Sequence, residues 1–221
     1  MSFNKSYLGE RQDIIGCIPV STTRMLDIGC SVGALGRAAK TAVPGLYVHG
    51  IDYDADMAAV ATEHLDEVTV ADMDSFALAE GFPNASFDCV VMADVLEHLR
   101  DPWKVVRDVT EVAADGATVI ACVPNVRHID TLFNLVFRQR WPYRERGIHD
   151  RTHLRFFARG NLPGLMAQNG LEIVTVRTNY RLVERPSRLN RFARFLALPG
   201  LRGFLAFQYI VVARRLPRVA S

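Results

Sequence analysis

The sequence predicts an α/β protein whose parallel β-sheet carries helices on both faces. Three observations predict this fold class. Short apolar runs, the clearest being residues 87–93, alternate along the chain with segments of helical periodicity. A turn with spaced glycines follows the first of these runs. Aspartates stand at or just beyond the ends of four successive runs, where such sheets bind their ligands; they are Asp27, Asp52, Asp72 and Asp94.

Composition and charge indicate a single domain of ordinary size. The chain has 221 residues, of which 49% are hydrophobic and 23% charged. Its formal charge of +2 hides an asymmetry, because residues 181–221 hold nine arginines and one acidic residue (+8), which leaves −6 for the rest. Four cysteines without C-x-x-C spacing predict neither disulfides nor a zinc site. Without a secretory signal or an uninterrupted apolar span, a cytoplasmic protein is expected.

The first apolar run, residues 25–28, predicts a buried strand, and a helix is predicted from Ala34. Gly29 and Gly33 lie in the turn between them, where positive φ angles and close approach of a ligand are expected. The spacing is D-x-G-x-x-x-G rather than the G-x-G-x-x-G typical of dinucleotide sites. Asp27 beside the turn would repel a pyrophosphate and attract a cation. The turn therefore favours a ligand with an ammonium group, although a purely structural turn is the alternative.

The second and third strands are predicted at residues 46–51 and 68–70. Asp52 follows the second strand at the distance from the glycine turn where an acid accepts hydrogen bonds from a ribose diol. Alternatively, Asp52 caps the helix that begins near Ala55. Residues 74–83 are predicted to form a surface segment, and residues 117–123 a fifth strand that follows a helix beginning at Asp101 and Pro102.

The aspartates at strand ends and the glycine turn, together with DVLEHL at residues 94–99 and HDRTHLRFF at residues 149–157, resemble the class I S-adenosylmethionine (SAM)-dependent methyltransferases. The resemblance is to bacterial members that act on small molecules and saccharides. It implies a Rossmann-like, doubly wound sheet of seven strands in the order 3-2-1-4-5-7-6, with strand 7 antiparallel. It also implies SAM as cofactor and S-adenosylhomocysteine as product. The implied cofactor-binding residues are Asp27, Gly29, Cys30, Gly33, Asp52, Tyr53, Asp72, Met73, Ala93 and Asp94.

The resemblance also divides the chain. Residues 1–23 are expected to be a helical segment that covers the cofactor, although a helix packed on the sheet is an equal interpretation. Residues 24–221 form the methyltransferase domain, with an acceptor-binding insertion at residues 126–160, here called the lid. The lid holds eight arginines and three acidic residues. Such a composition suits an anionic, ring-containing acceptor, with a solvated loop or a nucleic-acid surface as alternatives.

The expected reaction is O-methylation of a small-molecule or saccharide acceptor by in-line transfer, with a histidine that removes the hydroxyl proton. The candidate bases are His149, His153 and His98. No metal is expected, although Asp94, Glu97 and His98 with one lid histidine resemble a divalent metal site of some superfamily members. An NAD-dependent oxidoreductase and a non-catalytic SAM-fold binding protein are the alternative functions.

Two partner classes follow from the sequence. A nucleic-acid acceptor is disfavoured, since no D/N-P-P-Y tetrapeptide follows the fourth strand. The basic C-terminal segment, residues 181–203, has apolar residues at helical spacing between Arg188 and Leu198. Docking of this apolar face on the domain is the main expectation, and weak peripheral contact with anionic lipid is the alternative.

Overall fold

A computed structural model of the chain describes residues 9–83, 86–167, 170–184 and 187–217. The strands are β1 (Arg24–Ile28), β2 (Tyr47–Asp52), β3 (Glu67–Val70), β4 (Phe87–Ala93), β5 (Ala113–Pro124), β6 (Leu171–Tyr180) and β7 (Ala206–Arg215). The helices are α1 (Gln12–Ile15), α2 (Ala34–Ala42), α3 (Ala55–Ala61), α4 (Leu78–Gly81), α5 (Pro102–Val112), α6 (Ile129–Val136), α7 (Leu162–Met166), α8 (Ala193–Leu196) and α9 (Arg202–Leu205).

The seven strands form one sheet in the order β3-β2-β1-β4-β5-β7-β6. The pairs among β1 to β5 are parallel, whereas β7 runs antiparallel to both β5 and β6. The predicted fold class, strand order and direction of the last strand are thus confirmed. Because β1, β2, β3 and β4 are parallel, their carboxyl ends meet at one edge of the sheet.

Hydrophobic clusters cover both faces of the sheet, as doubly wound sheets require. Successive strand residues point to opposite faces, so Leu26 joins one cluster and Met25 the other. The first cluster contains α5 and α7 side chains such as Val106 and Leu165, and the second contains Leu35 of α2. The four cysteines are free thiols. No helix in the described part of the chain has the length and apolarity needed to cross a bilayer.

Helices α3 and α5 each have an aspartate at the N-cap, where its carboxylate accepts hydrogen bonds from the first turn. The Asp101 carboxylate accepts from the Lys104 N–H at 3.0 Å and Pro102 opens α5, as predicted. The carboxylate of Asp54 accepts from the N–H groups of the first turn of α3. The cap of α3 is therefore Asp54, and the Asp52 side chain is available for another role.

Residues 74–83 lie mostly at the surface, as predicted, but one side chain of the segment is buried. The segment contains α4, and Leu78 is completely buried in the first hydrophobic cluster. Phe82 packs edge-on against His49 and Phe87, with ring centroids 4.8 and 5.5 Å apart. A single helical turn is too short to show periodicity in the sequence, so its apolar residues gave no recognisable pattern.

Strand β5 is also longer than predicted. It begins at Ala113 rather than at residue 117, and its register with β4 shifts between Phe87 and Cys89. Gly116 lies in this irregular part with φ +81°. Gly116 therefore allows the irregularity within the strand, because glycine adopts a positive φ angle without steric cost.

Candidate active site

An open cavity of about 2210 Å³ lies at the carboxyl ends of the parallel strands. Single-ligand sites usually enclose about 300–1,000 Å³, so this cavity has room for two ligands side by side. Nine of the ten predicted cofactor-binding residues line it. They are Asp27, Gly29, Cys30, Asp52, Tyr53, Asp72, Met73, Ala93 and Asp94.

The two glycines of the turn have different surroundings. Gly29 and Gly33 both have positive φ angles, +74° and +76°. A Cβ on Gly29 would lie 2.2 Å from Cγ2 of Val95, beside the cavity. A Cβ on Gly33 would instead meet Ala61 of α3 at 3.2 Å, and Gly33 is not among the lining residues. Gly29 therefore lies at the cavity, and Gly33 lies at the packing of α2 against α3.

We expect Gly29→Ala to destabilise the protein by about 2–4 kcal/mol, from a left-handed backbone and an overpacked contact with Val95. Gly45→Ala is the matched control, because Gly45 has φ +82° with no atom within 4 Å of its added Cβ. It should lose only about 1–2 kcal/mol. Urea unfolding measures both, and equal losses would show that Val95 does not restrict the turn.

Asp27 is a buried carboxylate that lacks a full set of partners. It is 2% exposed, and its Oδ2 atom has no hydrogen-bond partner among the described residues. Burial, with a smaller contribution from the nearby Asp52 charge, raises the pKa of Asp27 to about 7. A buried carboxylate of this kind is costly unless a cation pairs with it. The position fits the ammonium group of an amino acid moiety.

Asp52 is held at the end of β2 by two backbone donors. Its Oδ2 accepts from the Ser31 N–H at 2.7 Å, and its Oδ1 accepts from the Asp54 N–H at 3.0 Å. A carboxylate offers about four acceptor positions, so two remain for a diol. Burial raises the pKa of Asp52. Ser31 has a φ angle of +50°, which is uncommon for a residue other than glycine. Its hydrogen bond to Asp52 stabilises this conformation and so holds the glycine turn in place.

Asp72 and Met73 lie at the end of β3. The Asp72 carboxylate accepts from the Asp74 N–H at 2.9 Å, and the Met73 side chain is 6% exposed. An acceptor and an adjacent apolar side chain at one wall of the cavity provide the two contacts that an adenine ring requires. Asp52, Asp72 and Asp27 thus line one acidic half of the cavity.

Asp94 is held by long-range contacts that the sequence did not reveal. It has φ +58°; its Oδ2 pairs with Arg11, and its Oδ1 accepts from Gln208 Nε2 at 2.6 Å. Arg11 is also paired with Asp13 at 3.0 Å, and Asp13 accepts from Asn179 Nδ2 at 2.6 Å. These bonds tie the segment before β1 across the cavity to β4, β6 and β7. Partners more than 80 residues apart leave no local sequence signal.

The two motifs that carried the family resemblance contact each other. The backbone carbonyl of Glu97 accepts from the N–H groups of Leu154 and Arg155, at 2.8 and 2.9 Å. The rings of His98 and His153 are in edge contact, with centroids 4.7 Å apart. His153 Nε2 lies 3.9 Å from Glu97 Oε1. Glu97, His98 and His153 therefore form one cluster, and all three line the cavity.

The protonation states in this cluster follow from burial. The His153 Nδ1 atom lies 3.2 Å from the Ile148 carbonyl, which can only accept, so Nδ1 carries the proton and Nε2 is free to accept one. Burial and the neighbouring His98 lower the pKa of His153 to about 4, which keeps the ring neutral at pH 7. Burial and the Asp94 charge raise the pKa of Glu97, whose Oε2 has no partner among the described residues.

His149 lies outside this cluster. Its side chain is fully buried, its Nδ1 donates to Glu184 Oε2 at 2.8 Å, and its Nε2 lies 3.1 Å from the Thr131 hydroxyl. Arg144 pairs with the same Glu184. Both ring nitrogens are occupied, and His149 is not among the cavity-lining residues. These contacts fasten the lid to the chain that follows β6.

Two groups in the described residues could hold a metal ion. Ligand atoms of Glu97, His98 and His153 lie within 4.8 Å of one another, as do those of Asp130, His149 and Glu184. The second group includes the Arg144 ion pairs, whose positive charge opposes a cation. Asp94, a member of the sequence-derived metal set, is instead paired with Arg11.

The half of the cavity opposite Asp27, Asp52 and Asp72 is rich in arginine. The arginines come from the start of α1, the lid, β6 and the basic C-terminal segment, and they are Arg11, Arg144, Arg146, Arg177, Arg181 and Arg194. Arg181 stacks on the Phe207 ring at 3.9 Å, and Tyr143 of the lid is also a lining residue. Acidic residues line the same half, among them Asp13, Glu97, Glu145, Asp150 and Glu184, and Arg11 and Arg144 are already paired with acids. The cavity thus joins an acidic half at β1–β3 to an arginine-rich, partly aromatic half under the lid, here called the basic half.

Comparison with known proteins agrees with this geometry. A family model described as a methyltransferase domain matches residues 9–176. The ubiquinone biosynthesis O-methyltransferase of Methylococcus capsulatus is 38% identical over 100 residues, 43% of this chain and 41% of that protein. The ajmaline N-methyltransferase of Rauvolfia serpentina is 23% identical over 201 residues, 85% of this chain and 67% of that protein. The match to the first relative thus spans less than half of its length.

The fold comparison gives the same result. A SAM-dependent methyltransferase structure from Archaeoglobus fulgidus superposes with a TM-score of 0.64 at 18% identity, covering 92% of this chain and 90% of that one. At this identity the likeness concerns the fold alone. Combined with the family match over residues 9–176, it shows that the chain belongs to the methyltransferase domain family, within the class I SAM-dependent superfamily.

Proposed function

We propose that this protein is a SAM-dependent O-methyltransferase that acts on a small, anionic, ring-containing acceptor. The observation that carries the proposal is the division of one cavity into two halves. The acidic half contains Asp27, whose Oδ2 atom has no hydrogen-bond partner among the described residues, and the basic half lies under the lid. Family membership supports methyl transfer, and the relatives named as O-methyltransferases support a hydroxyl acceptor.

The acidic half suits SAM group by group. Asp27 would pair with the ammonium of the methionine part, and the backbone of Gly29 lines the cavity beside it. Asp52 would accept from the ribose diol, and Asp72 and Met73 would contact the adenine. Bound SAM supplies an electrophilic methyl group. A dinucleotide fits less well, because its pyrophosphate would meet the carboxylates that line this half.

The basic half suits an acceptor with a carboxylate or phosphate. Guanidinium groups bind such anions in bidentate fashion, and Tyr143 and Phe207 offer ring surfaces beside them. Hydroxybenzoates and sugar phosphates both satisfy these requirements. The relatives named for ubiquinone biosynthesis favour the phenolic class.

His153 is the proposed base. Its neutral ring leaves Nε2 free to accept the acceptor's hydroxyl proton, and Glu97 at 3.9 Å would stabilise the resulting imidazolium when ionised. The same cluster could bind a divalent cation instead. Under the proposal a chelator leaves turnover unchanged, whereas turnover that is lost with EDTA and restored by Mg²⁺ would assign the cluster to a metal.

Calorimetry with SAM, S-adenosylhomocysteine and NAD tests the cofactor. We expect micromolar SAM binding, its loss in Asp52→Ala, and no binding of NAD. Release of S-adenosylhomocysteine in the presence of hydroxybenzoates or sugar phosphates then tests the acceptor class. Preferential binding of NAD would contradict the cofactor, and turnover confined to uncharged acceptors or to amines would contradict the acceptor class.

A further inference from the structure

Helix α6 in the lid has its polarity reversed relative to an ordinary surface helix. Its buried side chains are Thr131 and Asn134, and its cap His128 is also buried. Two of these polar groups have partners elsewhere in the protein: Thr131 contacts His149, and His128 contacts the Arg181 carbonyl at 2.9 Å. Asn134 donates to the Asp130 carbonyl of α6 itself at 2.7 Å. The inner face of α6 is thus held by hydrogen bonds rather than by apolar packing.

The apolar side chains of α6 and of the residue that follows it point to solvent instead. Phe137 is 74% exposed and Val136 is 65% exposed. The remaining members of this face are Ile129, Phe133 and Leu135, which are also exposed. Arg138 stacks on the Phe133 ring at 5.0 Å, which places a positive charge beside the apolar face. A contiguous exposed apolar face of this kind is rare on a soluble monomer and indicates a partner.

The basic C-terminal segment repeats this combination. The expectation that its apolar residues dock on the domain was wrong, because Phe195 is 80% exposed and Leu189, Phe192 and Leu196 are exposed as well. Leu198 and Leu201 extend the exposed set. Residues 187–203 contain four arginines and no acidic residue. The small Ala193 is the buried member, which anchors α8 while the larger side chains face outward.

The two segments meet at the start of α6. Arg127 lies over the Phe204 ring at 5.1 Å, and Asn125 Nδ2 donates to the Gly203 carbonyl at 2.9 Å. Both segments are also attached to the chain after β6: His128 to Arg181, and Asn190 Oδ1 to the N–H groups of Leu182 and Val183. The two segments are therefore joined at their bases, and residues 127–138 and 188–203 are here together called the lid–tail surface.

We propose that the lid–tail surface docks the protein on an anionic lipid bilayer without spanning it. Its phenylalanines and leucines would enter the boundary between headgroups and acyl chains, and its arginines would contact lipid phosphates. The charge decides against a second copy of the chain as the main partner, because two copies joined through this face would bring their arginines together. Arg194 and Asn190 also line the cavity, so docking would bring its basic half to the lipid surface.

Co-sedimentation with vesicles tests docking directly. We expect binding to vesicles of three parts phosphatidylcholine and one part phosphatidylglycerol at 0.1 M NaCl, and about tenfold weaker binding to phosphatidylcholine alone or at 0.5 M NaCl. The double variant Val136→Ser/Phe137→Ser should bind about tenfold or more weakly, as should Phe195→Ser/Leu198→Ser. Arg191→Gln/Arg194→Gln should lose the preference for phosphatidylglycerol.

Control variants at exposed residues outside the lid–tail surface show whether the loss of lipid binding is specific to that surface. Val20→Ser removes an apolar side chain that is 87% exposed elsewhere, and Arg107→Gln removes an arginine from α5; both should bind like the wild type. Absence of wild-type binding to the anionic vesicles would overturn the proposal. So would surface variants that bind like the wild type, or a dimer in sedimentation velocity that Val136→Ser/Phe137→Ser dissociates. Lipid binding is measured without SAM or an acceptor, so its outcome is independent of the proposed reaction.

Discussion

Asp27→Asn is expected to make the ligand-free protein more stable at pH 8 and to weaken SAM binding about 100-fold. The stability gain should be about 4 kcal/mol, because burial raises the pKa of Asp27 from 3.8 to about 7 and each tenfold weakening of the acid costs about 1.4 kcal/mol once the carboxyl is ionised. The amide keeps the shape of the side chain without its buried charge. The loss of affinity follows from leaving the cofactor ammonium without its carboxylate.

The titration of Asp27 makes both the free energy of unfolding and the SAM affinity depend on pH. Between about pH 4 and pH 7 the folded protein retains the Asp27 proton that the unfolded chain has released. Stability from this group is therefore present at low pH and is lost as the pH rises through about 7. SAM affinity should change in the opposite direction, falling about tenfold for each step of one pH unit below pH 7 in the wild type and remaining flat in Asp27→Asn.

Urea unfolding and calorimetry at pH 5, 6, 7 and 8 measure both effects. Asp88→Asn is the matched control, since Asp88 also lies in a central strand but accepts from the N–H groups of Thr23 and Arg24 at 2.8 and 3.0 Å. It should lower stability and leave SAM affinity unchanged. A destabilised Asp27→Asn protein, or one with unchanged affinity, would mean that Asp27 has a partner other than the cofactor.

His153→Gln is expected to lower the rate of methyl transfer about 10²–10⁴-fold while SAM affinity remains within about twofold of the wild type. The change removes the free Nε2 atom that faces Glu97 and the cavity. Glu97→Gln should lower kcat by a smaller factor, because it removes the stabilisation of the imidazolium and leaves the base in place. Single-turnover rates with labelled SAM and an accepted hydroxybenzoate measure both variants.

Variants of two other histidines serve as controls for the effect of His153→Gln. His64→Gln changes a histidine that does not line the cavity and should transfer methyl at the wild-type rate. His149→Gln breaks the bonds to Glu184 and Thr131, so it should lower the free energy of unfolding and have a smaller effect on turnover than His153→Gln. A larger loss of turnover in His149→Gln than in His153→Gln would assign the base to His149.

The fold was predictable because, along most of the chain, short sequence patterns correspond to the strands, turns and helices that the structure contains. Residues 87–93 are apolar, end at an aspartate and form β4 with the predicted bounds. The glycine turn has the expected positive φ angles at Gly29 and Gly33. The order of the last two strands came from the family resemblance, since nothing in the sequence of β7 specifies insertion between β5 and β6.

The acidic half of the cavity was also predictable, since its residues follow strands in short, recognisable patterns. The basic half under the lid was not. Arg11 and Gln208 reach Asp94 from opposite ends of the described chain, and Glu184 reaches His149 from the chain after β6. The reversed polarity of α6 was equally hidden, because periodicity shows that a helix has an apolar face and not which way that face points.

The position of β7 has a consequence for how the protein is made. Strand β6 pairs with β7 and with no other described strand, so the sheet cannot admit residues 171–180 until residues 206–215 have left the ribosome. At about 5–20 residues per second, translation leaves the open edge of β5 unpaired for several seconds. Such an edge is a template for pairing with other chains. Folding of the half of the sheet that carries β6 and β7 is therefore a late event, completed by one strand that enters between two others. Newly made chains are most prone to aggregate just before it.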